Sequence, residues 1–357
     1  MTNIVSRGEK IHRSDIRRIL VRATNWVGDA VMSLPALEAV RENFPGSRIS
    51  VLAKPWVTPI FESHPAVDQI IPFKKRQGYL RGSLDMFRLC SRIRNGGFDL
   101  TVLFQNAFEA ALVARLGGSR YIVGYDADAR GFLLTHPVKR NEAVLRVHQV
   151  EDYLCILRAM GWEAPNRDPV LYVSERHIDE AKHLLRSHGL EAEDFLVGIG
   201  PGAIYGKTKR WPPERFARIG DQAVEKWGAK VLVMGSRAES RICERLCKTM
   251  THGSVNICGL TSLGVAIALV SLFGFFITND SGLMHISAAL GVPTVAIFGS
   301  TDPVATGPRG PNTRIVKHDV DCAPCLKPVC PKDYRCLLEI EPEEVWEAME
   351  DLKRSGV

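Results

Sequence analysis

The residues best suited by type and spacing to do chemistry are Asp29, Lys209, Glu239 and the run Asp280, Ser281, Gly282 and His285. The last four stand in TNDSGLMHISAALGVPTVAIFGSTDP, positions 278–303, which reads as a strand end, a tight turn, a short helix, a second strand and a loop. An oxygen of Asp280 or Ser281 can cap the helix that begins near Gly282. The first backbone N–H groups of such a helix carry partial positive charge and suit a pyrophosphate, and Gly282 lets that backbone come close. His285 lies one turn in, where the helix end favours a neutral, hydrogen-bonding imidazole. Capping and packing alone would also account for these residues. Lys207, Lys209 and Arg210 fall in the loop PGAIYGKTKRWPPERF, placed to meet phosphate as point charges or forks. Glu239 follows the strand at 230–235 in a loop, where a carboxylate can accept from both hydroxyls of a ribose. A solvated glutamate at a helix start is the other reading. Asp29 sits in ATNWVGDAVMSLPALEAVREN, where Gly28 turns a strand into a helix and the aspartate occupies the first helical turn. The helix end favours a carboxylate there and cover by Trp26 would oppose it, and a carboxylate so placed can serve as a general base.

These residues need a scaffold that brings strand ends together. Segments 19–22, 48–53, 69–72, 99–104 and 121–124 are short and β-rich, and each is followed by helical or loop sequence. That alternation implies a parallel sheet with helices on both faces. Ligands of such sheets bind outside the carboxyl ends of the strands. Val31, Leu34, Leu37 and Val40 recur at helical spacing, and Pro35 predicts a kink or a restart among them. Strands at 195–200, 230–235 and 275–278 repeat the pattern, with Pro212 or Pro213 opening a helix near Glu214. The best linker is 165–169, just after Gly161. This gives domains 1–170 and 171–340, with an amphipathic helix at 341–357 begun by Pro342.

A chain of 357 residues suits two α/β domains. A net charge of +6 and a pI near 8.8 point to anionic ligands or a membrane surface. No RRM, zinc-finger or homeodomain signature appears, and no nucleic-acid partner is expected. Lys74, Lys75, Arg76, Arg81, Arg88, Arg92 and Arg94 crowd a segment that also holds Tyr79, Leu80, Met86 and Phe87. It reads either as a surface for anionic lipid headgroups or as a solvated helix face. The longest apolar run, 263–277, falls short of the ~20 residues of a spanning helix and reads as a buried helix followed by a strand. The charged leader lacks a signal-peptide core, so a cytoplasmic protein with mostly reduced cysteines is expected.

Three other motifs carry less. Gly198, Gly200 and Ala203 satisfy G-x-G-x-x-A, but a long polar loop follows, and no acidic residue stands at a strand end ~20 positions on. The triplets Asp126 with Asp128 and Asp319 with Asp321 are a spacing that chance often supplies, and no metal is assigned to them. CAPCLKPVCPKDYRC gathers Cys322, Cys325, Cys330 and Cys336, of which only the first pair has zinc-like spacing, so a rigid lid is favoured over a metal site.

Together NWVGDAVMSLPAL, PGAIYGKTKRWP, NDSGLMHISAALGVPTVAIFGSTDP and CAPCLKPVCP resemble the heptosyltransferases of glycosyltransferase family 9, from about Ile19 to the last helix. The resemblance implies a GT-B fold, α/β, with two Rossmann-like doubly wound parallel-sheet domains facing across a cleft. It implies inverting, metal-independent transfer of L-glycero-D-manno-heptose from ADP-heptose, with no cofactor. The acceptor would be the first heptose of the lipopolysaccharide inner core on Kdo-lipid A, met as a peripheral protein at the inner face of the inner membrane. Asp29 would then be the general base. Lys209, Asp280, Ser281, Gly282 and His285 would hold the pyrophosphate and donor sugar, and Glu239 the ribose. Ile204 and Tyr205 stand where some relatives have two threonines, so donor contacts differ there. Transfer to a different acceptor, a nucleotide-dependent oxidoreductase, and a non-catalytic nucleotide-sugar-binding protein are the competing readings.

Overall fold

The computed structural model describes residues 8–140 and 147–355, so the first seven residues of the leader, expected to fray, lie outside it. The chain divides into two compact units, one ending at Asp168 and the other starting at Pro169.

In the first unit β1 (Arg18–Arg22), β2 (Arg48–Ala53), β3 (Gln69–Pro72), β4 (Leu100–Leu103), β5 (Tyr121–Tyr125) and β6 (His136–Val138) form one sheet in the order 3-2-1-4-5-6. All pairings are parallel. Strands such as Leu-Thr-Val-Leu of β4 are buried along their whole length, as expected of a parallel sheet covered on both faces. The covering helices are α1 (Val27–Met32), α2 (Leu34–Asn43), α3 (Tyr79–Gly96), α4 (Phe108–Leu116) and α5 (Gln149–Ala159). Pro35 marks a restart: α1 ends before Ser33 and the proline occupies the first turn of α2, where its missing N–H costs no helix bond. β6 is an addition to the strands read from the sequence. It has three residues with a proline at the centre and pairs only with β5, a pattern confined to sheet edges and too short to show periodicity.

The second unit repeats the design. Its strands are β7 (Leu196–Gly200), β8 (Lys230–Val233), β9 (Val255–Asn256), β10 (Phe275–Asn279), β11 (Thr294–Phe298) and β12 (Thr313–Lys317), again parallel, in the order 12-11-10-7-8-9. Numbered within the unit, this is the same permutation as in the first sheet. The helices are α6 (Glu175–Ser187), α7 (Pro213–Trp227), α8 (Ser240–Thr249), α9 (Leu263–Ser271), α10 (Gly282–Ala289), α11 (Pro303–Thr306), α12 (Arg335–Leu338) and α13 (Pro342–Arg354). The apolar run at 263–277 divides into α9 and the start of β10. The closing helix α13 is no appendage. Val345, Trp346, Met349 and Leu352 join the second unit's core, and the Trp346 ring lies 4.7 Å from that of Trp227. Among the described residues no helix is long and apolar enough to cross a membrane.

In each sheet the order of winding reverses once, between β1 and β4 in the first and between β7 and β10 in the second. The crevice at such a reversal is where doubly wound sheets bind ligands. Asp29 follows β1, the lysine loop follows β7, and Asp280 to Gly282 follow β10.

Candidate active site

In the second unit, β7 ends at Gly200 and the chain runs through 201–212 before α7 begins. Buried Asn279, the last residue of β10, ties down both ends of this loop. Its Nδ2 donates to the Pro201 carbonyl at 2.8 Å, and its Oδ1 accepts from the Trp211 N–H at 3.0 Å. Trp211 is fully buried, donates through Nε1 to the Ile340 carbonyl at 3.0 Å, and meets Phe216 edge-on at 5.0 Å. Arg210 closes the loop on itself, its guanidinium donating to the Ala203 carbonyl at 2.9 and 3.0 Å. The cysteine loop clasps the tip. Tyr205 donates to the Leu326 carbonyl and Thr208 to the Lys327 carbonyl, each at 2.6 Å. A Cβ at Gly206 would stand 2.3 Å from the Pro328 carbonyl oxygen, so only glycine allows that approach.

Held in this way, Lys209 points its ammonium at Asp280, with Nζ to Oδ2 at 2.5 Å and side-chain exposures of 15% and 5%. Thr301 donates to the same oxygen at 2.6 Å. The carboxylate therefore does not cap α10, contrary to one expectation from the sequence. A full positive charge and a hydroxyl outcompete neutral backbone donors for it. Ser281 is the cap residue by its extended backbone, yet its side chain makes no cap bond and shares a hydrogen bond with Thr278 at 3.2 Å instead. The start of α10 thus has no cap bond from the Ser281 hydroxyl, a geometry suited to an anion. His285 is buried one turn further along α10.

Glu239 also differs from its expected place in an open loop. It ends a 3₁₀ turn, Arg237–Glu239, and forms a capping box, its Oε2 accepting from the Ser236 N–H at 2.7 Å and the Ser236 hydroxyl at 2.8 Å. The short turn after β8 leaves those donors unpaired otherwise, which is why the helix-start role prevails. Only Oε1 remains for a ligand. It lies beneath the lysine loop, where a Cβ at Gly202 would come within 2.0 Å. Gly202→Ala is therefore expected to displace Glu239 and weaken ADP binding on the order of tenfold, the worth of one charge-assisted hydrogen bond. Calorimetry reads this directly, and an unchanged affinity would remove Glu239 from the site. Gly198 has a packing reason, since a Cβ there would meet the Phe273 ring at 2.2 Å. That accounts for part of the G-x-G-x-x-A match without a dinucleotide.

In the first unit Asp29 is half-buried in the first turn of α1. Trp26, the residue before α1, is 63% exposed, against the expectation of a buried cover. Sequence reasoning missed Tyr153 of α5: full burial first, and then the Asp29 charge, push this phenol well above its ordinary range, so it stays protonated. It also missed Arg22 and Lys54, which join Lys75 of the basic segment in a cationic edge. Arg22, the last residue of β1, is buried and pulled down to about 10 by that burial. It donates to the Ala23 and Leu52 carbonyls at 2.6 and 3.1 Å and to Asn25 Oδ1 at 3.2 Å, bracing the turn that leads to Asp29. Just past β2, the Lys54 ammonium is lowered by partial burial and then by the Arg22 charge, with Lys75 adding to this and Glu109 opposing it. Cations kept close against mutual repulsion suit an anion. The only sequence signal is a basic residue at or near the end of each of three strands.

Of the D-x-D triplets, Asp126 and Asp128 lie near Arg130, and Asp319 pairs with Lys317 at 2.8 Å. Among the described residues no three His, Cys, Asp or Glu side chains gather as a metal site. All nine cysteines are free, and burial, followed by the neighbouring Cys322, Cys330 and Cys325, pushes the Cys336 thiol up to about 11.

Paired doubly wound units of one strand order, each with polar groups at its reversal point, are the architecture of GT-B glycosyltransferases. Glycosyltransferase family 9 (heptosyltransferase) matches residues 86–334, and the chain belongs to that family. It is 28% identical over 347 residues to lipopolysaccharide heptosyltransferase 2 of Escherichia coli strain K12, covering 94% of this chain and 98% of that one. It is likewise 28% identical to lipooligosaccharide heptosyltransferase 2 of Campylobacter jejuni strain 81116, over 94% of this chain and 99% of the relative. The solved structure of E. coli ADP-heptose lps heptosyltransferase II superposes with a TM-score of 0.81 at 26% identity, covering 95% of this chain and 99% of that one.

The cysteine loop touches the lysine loop through the backbone carbonyls of Leu326 and Lys327. Replacing Cys322, Cys325, Cys330 and Cys336 together by serine is therefore expected to preserve ADP binding by calorimetry. The melting temperature should fall, since Cys336 is buried. Loss of ADP binding in a folded variant would give the thiols a direct part in the site.

Proposed function

We propose that this family 9 glycosyltransferase moves L-glycero-D-manno-heptose from ADP-heptose to the first heptose of heptosyl-Kdo-lipid A with inversion at the anomeric carbon. The observation that carries the reading is the lysine loop, pinned through Asn279, that sets Lys209 against Asp280 at the start of α10. The N–H groups of Ser281 and Gly282 and the Lys209 ammonium receive the diphosphate, His285 adds a hydrogen bond, and Glu239 Oε1 takes a ribose hydroxyl. The acceptor hydroxyl attacks the anomeric carbon opposite the leaving group. As the new C–O bond forms, its proton passes to Asp29 and ADP departs with the electrons of the broken bond. Negative charge then grows on the diphosphate, where fixed N–H dipoles and a lysine stabilise it without a metal. Arg22, Lys54 and Lys75 form the edge that meets the anionic Kdo of the acceptor. Because that acceptor is lipid-borne, the protein works at the cytoplasmic face of the inner membrane as a peripheral protein.

The test is incubation of the full chain with ADP-heptose and either heptosyl-Kdo-lipid A or Kdo-lipid A lacking heptose, with and without EDTA, followed by mass spectrometry. One added heptose on the first acceptor only, indifferent to EDTA, is the expected result. Addition to the heptose-free acceptor instead would favour transfer of the first heptose, consistent with the likeness, at 27% identity, to lipopolysaccharide heptosyltransferase 1 of Pseudomonas aeruginosa. ADP-heptose binding without transfer to either would favour a non-catalytic binding protein.

A further inference from the structure

Residues 74–96 contain seven lysines and arginines against a single acid, Asp85, a net +6 that equals the formal charge of the entire chain. The remaining sequence is balanced, so the protein's whole excess of positive charge lies in α3 and the loop before it. Two of these cations are paired within the unit, Arg76 with Asp85 and Lys75 with Glu109, both at 2.7 Å. Arg81, Arg88 and Arg92 make no ion pair among the described residues.

The helix that carries them is apolar on two faces. Inward, Leu89, Cys90 and Ile93 pack with β1, β2 and β3 residues in the core. Outward, Leu80, Leu84 and Phe87 recur at spacings of four and three, forming one stripe that is 82%, 45% and 71% exposed. An isolated exposed leucine is ordinary. A stripe of three, flanked by unpaired arginines, has the make-up of a helix that lies in a membrane interface. The apolar surface continues sideways into a groove of about 1030 Å³ between α3 and α4, floored by Met86, Cys90, Phe108 and Leu112. Beyond it Phe132, 69% exposed, stands 6.1 Å from Phe108.

We propose that this face of the first unit docks on an anionic phospholipid bilayer, with Leu80, Leu84 and Phe87 entering the acyl boundary and Arg81, Arg88 and Arg92 meeting lipid phosphates. The charge selects the occupant. A second copy of the chain on the same face would set like charge against like charge, whereas an anionic leaflet supplies the complement to both the charge and the stripe. The inference deepens the membrane side of the proposed function and rests on that reading only for the source of the leaflet. Its test uses no donor or acceptor.

Full-length protein is sedimented with vesicles of phosphatidylcholine alone and of phosphatidylcholine mixed with phosphatidylglycerol. Binding is expected only to the anionic vesicles and should weaken as salt rises. The triple variant Arg81→Gln, Arg88→Gln, Arg92→Gln should lose affinity on the order of a hundredfold. The double variant Leu80→Asn, Phe87→Asn should lose roughly tenfold or more. The exposed cation Arg314 of the second unit is the control, and Arg314→Gln should bind as the parent does. All of these side chains are exposed, so melting temperatures should stay close to the parent's. Absence of vesicle binding, equal binding to neutral and anionic vesicles, equal binding by parent and triple variant, or a lipid-free oligomer that either variant dissolves would overturn the proposal. Failed heptosyl transfer with vesicle binding intact would count against the proposed function and leave this docking face standing.

Discussion

Asp29→Asn should fold, bind ADP-heptose much as the parent does, and lose turnover by roughly 10²- to 10⁴-fold, the usual worth of general-base help. A sugar hydroxyl is far too weak an acid to lose its proton before attack, so the proton moves as the C–O bond forms and needs an acceptor already in place. An asparagine at this position would keep the shape of the side chain and an oxygen for local hydrogen bonds, but it could not take that proton. Tyr153 cannot substitute, because its burial, the largest cause of its raised pKa, persists in the variant and keeps the phenol protonated. A role confined to supporting α1 gives the opposite pattern. That helix has six residues and its cap residue, Trp26, supplies no side-chain bond. The amide would then leave the rate nearly intact and largely preserve the melting temperature, since asparagine caps a helix about as well as aspartate. Measuring kcat and Tm on one preparation separates the two, and a stable, fully active variant would remove Asp29 from the mechanism.

Lys209→Ala should weaken ADP-heptose binding by about 1.5 to 3 kcal/mol, roughly 10- to 150-fold, through loss of a charged partner for the diphosphate. The same change should cost stability. Asp280, 5% exposed, would keep Thr301 but lose its counter-charge. Breaking a buried pair from one side costs about 3 to 5 kcal/mol, and here the lower end applies because Lys209 is 15% exposed. Adding Asp280→Asn to Lys209→Ala removes the stranded charge. The double variant should recover much of the melting temperature and none of the affinity. Recovery of both would mean that Lys209 acts only by seating Asp280, and unchanged affinity in the single variant would exclude it from the donor site.

The sequence placed Asp29, Lys209 and the Asp280 run at the ends of strands, and the fold sets those strand ends beside the reversals of the two sheets. It was less informative about what each group bonds to. Asp280 and Glu239 were both legible as polar residues near helix starts, yet the carboxylate that caps a helix start is Glu239, and the one that meets a cation is Asp280. Asn279, which pins the lysine loop, was readable only as the end of a strand. Its partner Trp211 lies 68 residues away in sequence, and no local spacing joins the two.

By itself the sequence determined what depends on neighbours within a turn or a short strand. The parallel αβ repeat, the helix restart at Pro35, the division of 263–277 into helix and strand, and the proline-led starts of α7 and α13 are of this kind. Side-chain periodicity and the missing proline N–H act over a few residues, so they can be read without a fold. Tertiary structure alone decided the edge strands β6, β9 and β12, the Lys209 and Asp280 pair, and the approach of Arg22 to Lys54. Each depends on which strands lie side by side. The pairing of β7 with β10 sets Gly200 opposite Thr278 and so brings the lysine loop to the start of α10. Only the folded sheet supplies that register, because parallel neighbours are joined through long crossovers rather than through adjacent sequence.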